Sequence, residues 1–367
     1  MFSNKTLILI IVGLVVLVGG VLLYLYYPKG EAPVPTTGGQ NGQATDQAPS
    51  RMKTLSQEPV LGVAVEDRKV KYYLKSNGHV VESDFDGSNS SLFSSSVLLN
   101  LLDVSWSPDK NRVIVLFNQG GEIKKGFYDH KTRQSVSLAD GLKSFAWSPD
   151  SGEIAYQFIN SNESNISISN PDGSGWKTIF ETKIKDLIVE WPQNSKISIR
   201  TRPSGLAPSV VYLIDADNGK FEKIIQETFG LAFLWSPLGN KALYSETDEN
   251  GKNLKLKVFD VDSRSSQDLN FSTLPEKCAW SKDNKTIFCA VPEEIPSPLI
   301  LPDDYYKNKI SFDDVFWRFN LETGERINIL KDKETVAVDA KALLLSPLED
   351  YLLFINQKDG RLYSLSL

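Results

Sequence analysis

The stretch from Asp103 to Phe117 reads Asp-Val-Ser-Trp-Ser-Pro-Asp-Lys-Asn-Arg-Val-Ile-Val-Leu-Phe. Apolar and polar residues alternate up to Trp106, and an almost continuous apolar run follows the Ser-Pro-Asp segment. Pro108 has no amide proton for a strand ladder and a fixed φ, so it ends the first strand and begins a turn. The Asp109 side chain can bond the backbone that follows it, which favours the reversal. The stretch therefore predicts a β-hairpin.

This hairpin recurs along the chain at a nearly constant interval. Degraded copies of its turn begin at five further positions, which are Trp147, Trp191, Trp235, Trp280 and Leu345. Successive tryptophans are 41, 44, 44 and 45 residues apart, which is the period of a four-stranded propeller blade. The last interval is 65 residues, so it predicts an insertion of about 20 residues.

Each copy of the hairpin is followed by the remaining strands of a blade. A third strand, a turn such as Asp217-Asn218-Gly219 and a fourth strand such as 221–225 come before the next motif. Second strands such as 113–117 are apolar on both faces, as expected when neighbouring blades cover each sheet on both sides. β-Branched and aromatic residues dominate and turn signals recur every 8–12 residues or so, which argues against helices.

The two ends of the repeat region predict how the ring closes. Residues 59–93 form a first blade with Val65 at the tryptophan position, and the last blade stops at 360–367 after three strands. Residues 52–57 precede the first blade as each fourth strand precedes the next motif. Pairing them with 361–366 removes an exposed edge and gives an all-β, seven-bladed propeller. Six blades is the alternative, if the first blade is irregular.

The composition fits a large globular protein and excludes several classes of partner. The chain has 367 residues, 41% of them hydrophobic, which is enough for a sizeable core. Its net charge of −6 comes from mixed charges without a basic stripe, so nucleic acid is not an expected partner. Only two histidines occur, and no Walker loop, dinucleotide fingerprint or zinc signature is present. We therefore expect no metal and no cofactor.

Residues 6–27 are an apolar run flanked by Lys5 and Lys29. At about 1.5 Å per residue this run crosses the roughly 30 Å of a bilayer core, so it predicts an uncleaved transmembrane helix after a short tail, residues 1–5. A cleaved signal peptide is the alternative, but its apolar region is normally about 7–15 residues long and ends in a small-residue site that is missing here. No cysteine lies near the run, which excludes a lipoprotein anchor.

Residues 28–50 are rich in Pro, Gly, Gln, Thr and Ala, which predicts a flexible linker. The positive charges of the α-amine and Lys5 favour an N-terminus inside the cell. We therefore expect a single-pass protein of the cell membrane whose propeller, residues 51–367, lies on the extracytoplasmic side.

The Trp-Ser-Pro-Asp hairpins resemble the WD-repeat-like propeller repeats of TolB-type proteins, over residues 52–367. Lys110 and Ser151 stand where these repeats usually have glycine after the aspartate, and the copy at Trp191 lacks the serine. The N-terminal α/β domain of TolB proteins has no counterpart, since the predicted anchor and linker occupy its place. The resemblance implies the propeller fold, and a TolB-like role in envelope complexes does not follow from it.

The two cysteines of the chain are expected to face each other. Cys278 and Cys289 lie two residues before and nine residues after Trp280, so they are opposite in the predicted hairpin, as Val104 and Val115 are in another blade. Opposed Cβ atoms about 4.5–5.5 Å apart need little adjustment to form a disulfide, and an extracytoplasmic location is oxidising. We predict a structural disulfide, with two buried free thiols as the alternative.

Residues 84–89, Asp-Phe-Asp-Gly-Ser-Asn, resemble the opening of a calcium-binding loop. An EF-hand loop needs a glutamate at its twelfth position, where this chain has Ser95. Equivalent turns recur in most blades. An ordinary turn is therefore predicted here, and no metal site.

Two connections between second and third strands are unusual, and all such connections emerge on one face of a propeller. One runs from 292 to 314 and is acidic and aromatic, and the other runs from 202 to 209. Arg200 aligns with positions that are packed in other blades, such as Val115. A solvated loop and a structurally paired arginine are the ordinary interpretations, but long loops also concentrate binding. The candidate binding residues are Arg200, Arg202, Asp303, Asp304, Tyr305 and Tyr306.

No catalytic motif is present. The chain lacks a Gly-x-Ser-x-Gly elbow and the Ser-x-Asp-x-Gly-x-x-Trp box of sialidases, and no domain remains outside the blades to house a triad. We therefore predict a non-catalytic binding scaffold for an envelope protein or a cell-wall polymer. The alternative is a propeller hydrolase or lyase acting on a glycan in the central cleft, since acidic residues are plentiful.

Overall fold

The computed structural model describes residues 50–330 and 337–367 and shows an all-β, seven-bladed propeller. The predicted tail, the predicted transmembrane helix and all but the last residue of the predicted linker lie outside the described residues. Within the two described ranges, no helix is long and apolar enough to cross a membrane.

Seven four-stranded antiparallel sheets form the blades in these ranges. Strand β1 (Met52–Thr54) belongs to the last blade. Blade 1 contains β2 (Val60–Glu66), β3 (Lys69–Leu74), β4 (Val80–Asp84) and β5 (Ser91–Ser94). Blade 2 contains β6 (Leu101–Trp106), β7 (Arg112–Gln119), β8 (Glu122–Asp129) and β9 (Ser135–Ser137). Blade 3 contains β10 (Leu142–Trp147), β11 (Ile154–Ile159), β12 (Ser164–Ser169) and β13 (Lys177–Glu181).

The remaining blades follow the same plan. Blade 4 contains β14 (Ile188–Gln193), β15 (Lys196–Arg200), β16 (Ser209–Asp215) and β17 (Phe221–Thr228). Blade 5 contains β18 (Phe233–Trp235), β19 (Lys241–Glu246), β20 (Lys255–Asp260) and β21 (Ser265–Asp268). Blade 6 follows a 3-10 turn (Pro275–Lys277) and contains β22 (Cys278–Trp280), β23 (Thr286–Pro292), β24 (Asp314–Asn320) and β25 (Arg326–Asn328), with a short helix α1 (Asp303–Tyr306) between β23 and β24. Blade 7 contains β26 (Ala340–Leu345), β27 (Tyr351–Asn356) and β28 (Leu362–Ser366).

The N-terminal strand closes the ring. β1 pairs with β28 antiparallel, with Met52 opposite Leu365 and Thr54 opposite Tyr363. Seven strand quartets are thereby completed and the edge of β28 is covered. The predicted seven-bladed fold is confirmed, and so is the closing pair.

The core lies between the blades. Seven apolar clusters each join two successive blades, including one between the last blade and the first. Tryptophans of the repeated motif add a polar link, since the Trp106 indole donates to the carbonyl of Gly62 in the preceding blade at 2.6 Å and Trp147 donates to Ser105 at 3.3 Å. Burial of large apolar side chains on both faces of each sheet therefore holds the ring together.

The Ser-Pro-Asp turns also join neighbouring blades. Lys110 and Ser151 have φ values of +57° and +67°, the left-handed region that glycine adopts at least cost. This conformation explains why the repeats favour glycine at this position. Ser151 gains a contact that glycine lacks, because its hydroxyl accepts a hydrogen bond from the Asp109 amide of the preceding blade at 2.9 Å.

Cys278 lies directly opposite Cys289 in the β22–β23 pair, and a disulfide joins them. Both side chains are buried in the cluster between blades 5 and 6.

Consecutive antiparallel strands place alternate connections on opposite faces of the propeller. The first-to-second and third-to-fourth connections define one face, here called the turn face. The second-to-third connections and the links between blades define the other, here called the loop face. Ser50 and Arg51 precede β1 beside Ser366, so the described chain begins at the turn face.

Candidate binding site on the loop face

The insertion in blade 6, residues 293–313, is folded over the loop face and has a core of its own. Tyr305 and Phe312 pack with Leu301 and with residues of blade 5, Leu254 and Leu274. Leu301 also donates its amide to the carbonyl of Gly251 at 2.9 Å. The predicted insertion is therefore an ordered part of the propeller that joins several blades.

Asp303 fastens the insertion to blade 4. Its carboxylate accepts hydrogen bonds from the Ser204 hydroxyl at 3.1 Å and from the Gly205 amide at 2.7 Å. A Cβ at Gly205 would lie 2.3 Å from the carbonyl oxygen of Leu301. Glycine is therefore required where the two loops touch.

A buried ion cluster fastens the insertion to blades 6 and 7. The Lys277 ammonium lies 2.6 Å from Asp339 Oδ1 and 2.7 Å from Asp314 Oδ2, and all three side chains are fully buried. The Tyr305 hydroxyl donates to Asp339 Oδ1 at 3.0 Å, and the Phe312 amide donates to Asp339 Oδ2 at 3.0 Å. Since solvent does not reach these groups, their role is to hold the insertion in place.

The charges of this cluster shift the pKa values of its members. Burial raises the pKa of Asp314 to about 6, with the nearby negative charge of Asp339 adding to the rise and the charge of Lys277 opposing it. Burial and the charge of Asp339 also raise the pKa of the Tyr305 hydroxyl, so it stays protonated as a donor.

The predicted acidic and aromatic run 303–306 divides into buried and exposed members. Asp304 is buried and accepts from the Ile300 amide at 2.9 Å and from Lys309 at 2.8 Å. Tyr305 is buried in the cluster described above. Tyr306 is 44% exposed, and the burial of its hydroxyl and the nearby charge of Glu276 raise its pKa. Of this run, Tyr306 is therefore the side chain most available to a partner.

Arg200 does not occupy the position predicted for it. Val189 pairs with Ile199, ten residues later, whereas Val104 pairs with Val115, eleven residues later. The blade 4 hairpin is one residue shorter, so Ile199 takes the packed position and Arg200 turns to the other side of the sheet.

There Arg200 is 8% exposed and donates through Nε to Glu190 at 3.1 Å. Among the described residues, its Nη1 and the Oε1 of Glu276 are buried without a hydrogen-bond partner. Burial raises the pKa of the Glu276 carboxyl, while Tyr306 and the charge of Arg200 lower it. These two groups are thus an unpaired donor and an unpaired acceptor inside the fold.

A cavity of about 790 Å³ opens on the loop face beside the insertion. Its walls come from blades 2, 3 and 4, and include Ser105, Leu116, Phe145 and Ile188. The contacts of the insertion lie over blades 4 to 7, so the insertion covers one side of this face and leaves the cavity on the other.

Charged groups of both signs line the cavity. Lys124 pairs with Glu122 at 2.7 Å and with Asp140 at 3.1 Å, so these three groups together keep one negative charge. The described residues form no ion pair with the remaining charged groups of the lining, which are Asp103, Lys125, Lys143, Asp186 and Arg202. Of the predicted binding residues, only Arg202 lies in this lining, and it is exposed.

Exposed apolar side chains are spread over the loop face, and one of them, Ile123, lines the cavity. Seven large apolar side chains on described loop-face connections and strand ends are 42–62% exposed, namely Val97, Leu99, Leu102, Ile123, Ile184, Leu206 and Tyr306. By the same criterion, five described side chains on the turn face are exposed, namely Leu92, Trp176, Phe221, Leu238 and Leu348. The loop face is therefore the more apolar of the two.

Residues 84–89 form a turn. Ser88 donates to Asp86 and Asn89 donates to Asp84 at 2.7 Å. Within the described ranges, no group of three or more His, Cys, Asp or Glu side chains is placed to hold a metal.

No spacing rule links Lys277 to Asp339, 62 positions later, so their pairing with Asp314, a member of the predicted acidic connection, is visible only in the fold. Lys125 was not predicted either, although the sequence carries a signal for it. Aligning the third strands of the blades would have shown a lysine where apolar residues stand elsewhere.

No protein family model matches the chain, and no curated protein matches it. A solved oligogalacturonate lyase in complex with manganese is similar over 86% of this chain and 93% of its own, with 10% identity and a TM-score of 0.61. The β-propeller domain of the Trilobed protease from Pyrococcus furiosus is similar over 84% of this chain and 95% of its own, with 15% identity and a TM-score of 0.56. TolB from Acinetobacter baumannii is also among the similar structures, at 15% identity and a TM-score of 0.48 over 71% of this chain, which spans 64% of the TolB chain. What the lyase and the Trilobed protease domain share with this chain is the propeller fold.

Proposed function

We propose that this chain is a non-catalytic binding scaffold whose loop face holds a partner protein of the cell envelope. The exposed apolar side chains of the loop face, which also holds the charged cavity, carry the proposal, because exposed apolar surface marks protein-protein interaction sites. A protein partner is favoured over a cell-wall polymer. Trp176, an exposed tryptophan among the described residues, lies in the turn-face connection before the outer strand of blade 3 and not at the cavity.

The proposed location is the extracytoplasmic side of the cell membrane, with residues 6–27 as the anchor. The apolar run and its flanking charges support this location, and so does the Cys278–Cys289 disulfide, since disulfides persist in oxidising compartments. The described chain begins at the turn face. The loop face is on the opposite side of the propeller from Ser50.

Crosslinking in intact cells, followed by capture of the full-length chain, tests the proposal. Replacing Ile184 or Leu206 with glutamate places a charge on an exposed apolar site without opening the core, and should reduce the crosslinked partner about tenfold or more. The matched control is Leu348→Glu on the turn face, where the side chain is 77% exposed. Equal capture by all three variants would overturn the proposal.

The catalytic alternative is separated by a second assay on the same preparation. The full-length chain is incubated with oligogalacturonate and with a panel of chromogenic glycosides. We expect no turnover. Product release that scales with protein concentration would replace the scaffold by a glycan-cleaving enzyme.

A further inference from the structure

We propose that Lys125 forms an anion subsite of the loop-face cavity, which binds a carboxylate side chain of the partner protein. The inference rests on the proposed function and names the chemistry of one contact within it.

The position of Lys125 is apolar in every other blade. Lys125 lies on the third strand of blade 2, where it pairs with Leu116. The same register position in the other six blades holds an apolar side chain that is at most 1% exposed. These residues are Val80, Ile166, Val211, Leu256, Phe316 and Leu362. The fold therefore does not require a charge at this place.

Lys125 is nevertheless buried without an ion partner. It is 8% exposed and lines the cavity, and no described residue forms an ion pair or a hydrogen bond with its ammonium. Burial lowers the pKa of Lys125, the charge of Lys143 adds to the drop, and Asp140 opposes it. The Lys125 ammonium is not one of the buried, unpartnered polar atoms of the described residues, so it is open to a ligand that enters the cavity.

The surroundings define the ligand as a single carboxylate. Lys143 lines the cavity as a second cation, while the carboxylate of Asp140 is already bonded to Lys124. Asp103 and Asp186 line the same cavity and would repel a polyanion. A carboxylate flanked by basic and apolar residues, as in a protein segment, matches all of these groups.

Two synthetic peptides serve as probes for the full-length chain. Ac-Arg-Leu-Glu-Leu-Arg-amide carries the carboxylate, and its glutamine counterpart lacks only that charge. Fluorescence anisotropy should show the Glu peptide binding about tenfold more tightly, as expected for a hydrogen bond to a charged group. Lys125→Leu should abolish the difference, and Lys125→Arg should keep it. Lys125→Leu should also fold, since the other blades carry apolar residues there.

The matched control is Lys177→Leu, an exposed lysine on the outer strand of blade 3. It should leave the preference for the Glu peptide unchanged. The subsite is overturned if the two peptides bind alike, if neither binds, or if Lys125→Leu retains the preference. Suppose that Lys125→Leu still prefers the Glu peptide, whereas the glutamate variants of Ile184 and Leu206 lose the crosslinked partner. The subsite then fails and the proposed function stands. Suppose instead that Lys125→Leu loses the preference for the Glu peptide, whereas the glutamate variants of Ile184 and Leu206 capture the partner normally. The proposed function then fails and the subsite stands.

Discussion

The Lys277 ammonium lies 2.6 Å from Asp339 Oδ1, and this contact ties the 3-10 turn before blade 6 to the residue that precedes the first strand of blade 7. The Tyr305 hydroxyl, which belongs to the insertion, donates a hydrogen bond to the same oxygen. The buried carboxylate of Asp339 thus accepts a hydrogen bond from Lys277, which precedes blade 6, and another from Tyr305 of the insertion. The geometry of the loop face depends on this shared acceptor.

Replacing Lys277 with methionine should lower the free energy of unfolding by about 3–5 kcal/mol, because Asp314 and Asp339 would remain buried without their cation. Urea unfolding measures the change. Lys309→Met is the matched control, since Lys309 pairs with Asp304 from a side chain that is 61% exposed and should cost at most about 1 kcal/mol. Equal losses in the two variants would contradict the role given to the buried cluster.

Asp314 should make stability fall as the pH rises. Its pKa is about 6 in the folded protein, against an ordinary value of 3.8, so the folded state holds this proton more tightly than the unfolded chain. The stabilisation that protonated Asp314 provides is complete below its ordinary pKa of 3.8. It is lost as the pH rises through the folded-state pKa of about 6. Relative to the wild type, Asp314→Asn should gain stability between pH 4 and pH 7. Unfolding free energies at several pH values measure the difference.

Asp304 provides a control of opposite sign for this pH dependence. The hydrogen bond from Lys309 lowers the pKa of Asp304, with the Ile300 amide as a further cause. Its contribution is therefore lost as the pH falls, and Asp304→Asn should weaken the loss of stability in acid. A parallel pH profile for Asp314→Asn and the wild type would disprove the assignment for Asp314.

The repeat made most of the fold predictable. Constant spacing sets the register within each hairpin, which is why Cys278 could be placed opposite Cys289 and the closing strand could be matched to β28. The same rule failed for Arg200. Only two residues, Asn194 and Ser195, connect β14 and β15, and removing one residue from a hairpin moves every later side chain to the other face.

The candidate site was less predictable, because its contacts cross blades. The burial of Tyr305 depends on Leu254 and Leu274 of blade 5 and on Asp339 of blade 7. No local pattern around Tyr305 reports these partners. The predicted importance of the insertion follows from its length alone, whereas the division of its residues into buried and exposed ones requires the fold.

Met52 should be the residue of β1 on which ring closure depends. It is buried in the cluster between blades 6 and 7 and pairs with Leu365. Met52→Asp should lower the free energy of unfolding by about 2–4 kcal/mol, since it places a charge in this cluster. Lys53→Ser, on the exposed face of the same strand, should change it by about 0.5 kcal/mol or less. Thermal and urea unfolding measure both, and a silent Met52→Asp would show that the ring holds without this contact.

Loss of the Cys278–Cys289 disulfide should lower the free energy of unfolding by about 2–3 kcal/mol, because the bond closes a short loop in the unfolded chain. The double variant Cys278→Val with Cys289→Val separates this effect from packing, since Val104 and Val115 occupy the same opposed positions in blade 2. The variant should fold with the core between blades 5 and 6 filled, and its stability should not respond to a reductant. The wild type should lose stability on reduction. Before reduction, its mass should be two hydrogens lower than after reduction. A wild-type protein whose mass and unfolding curve are unchanged by reductant would favour two buried thiols at this pair.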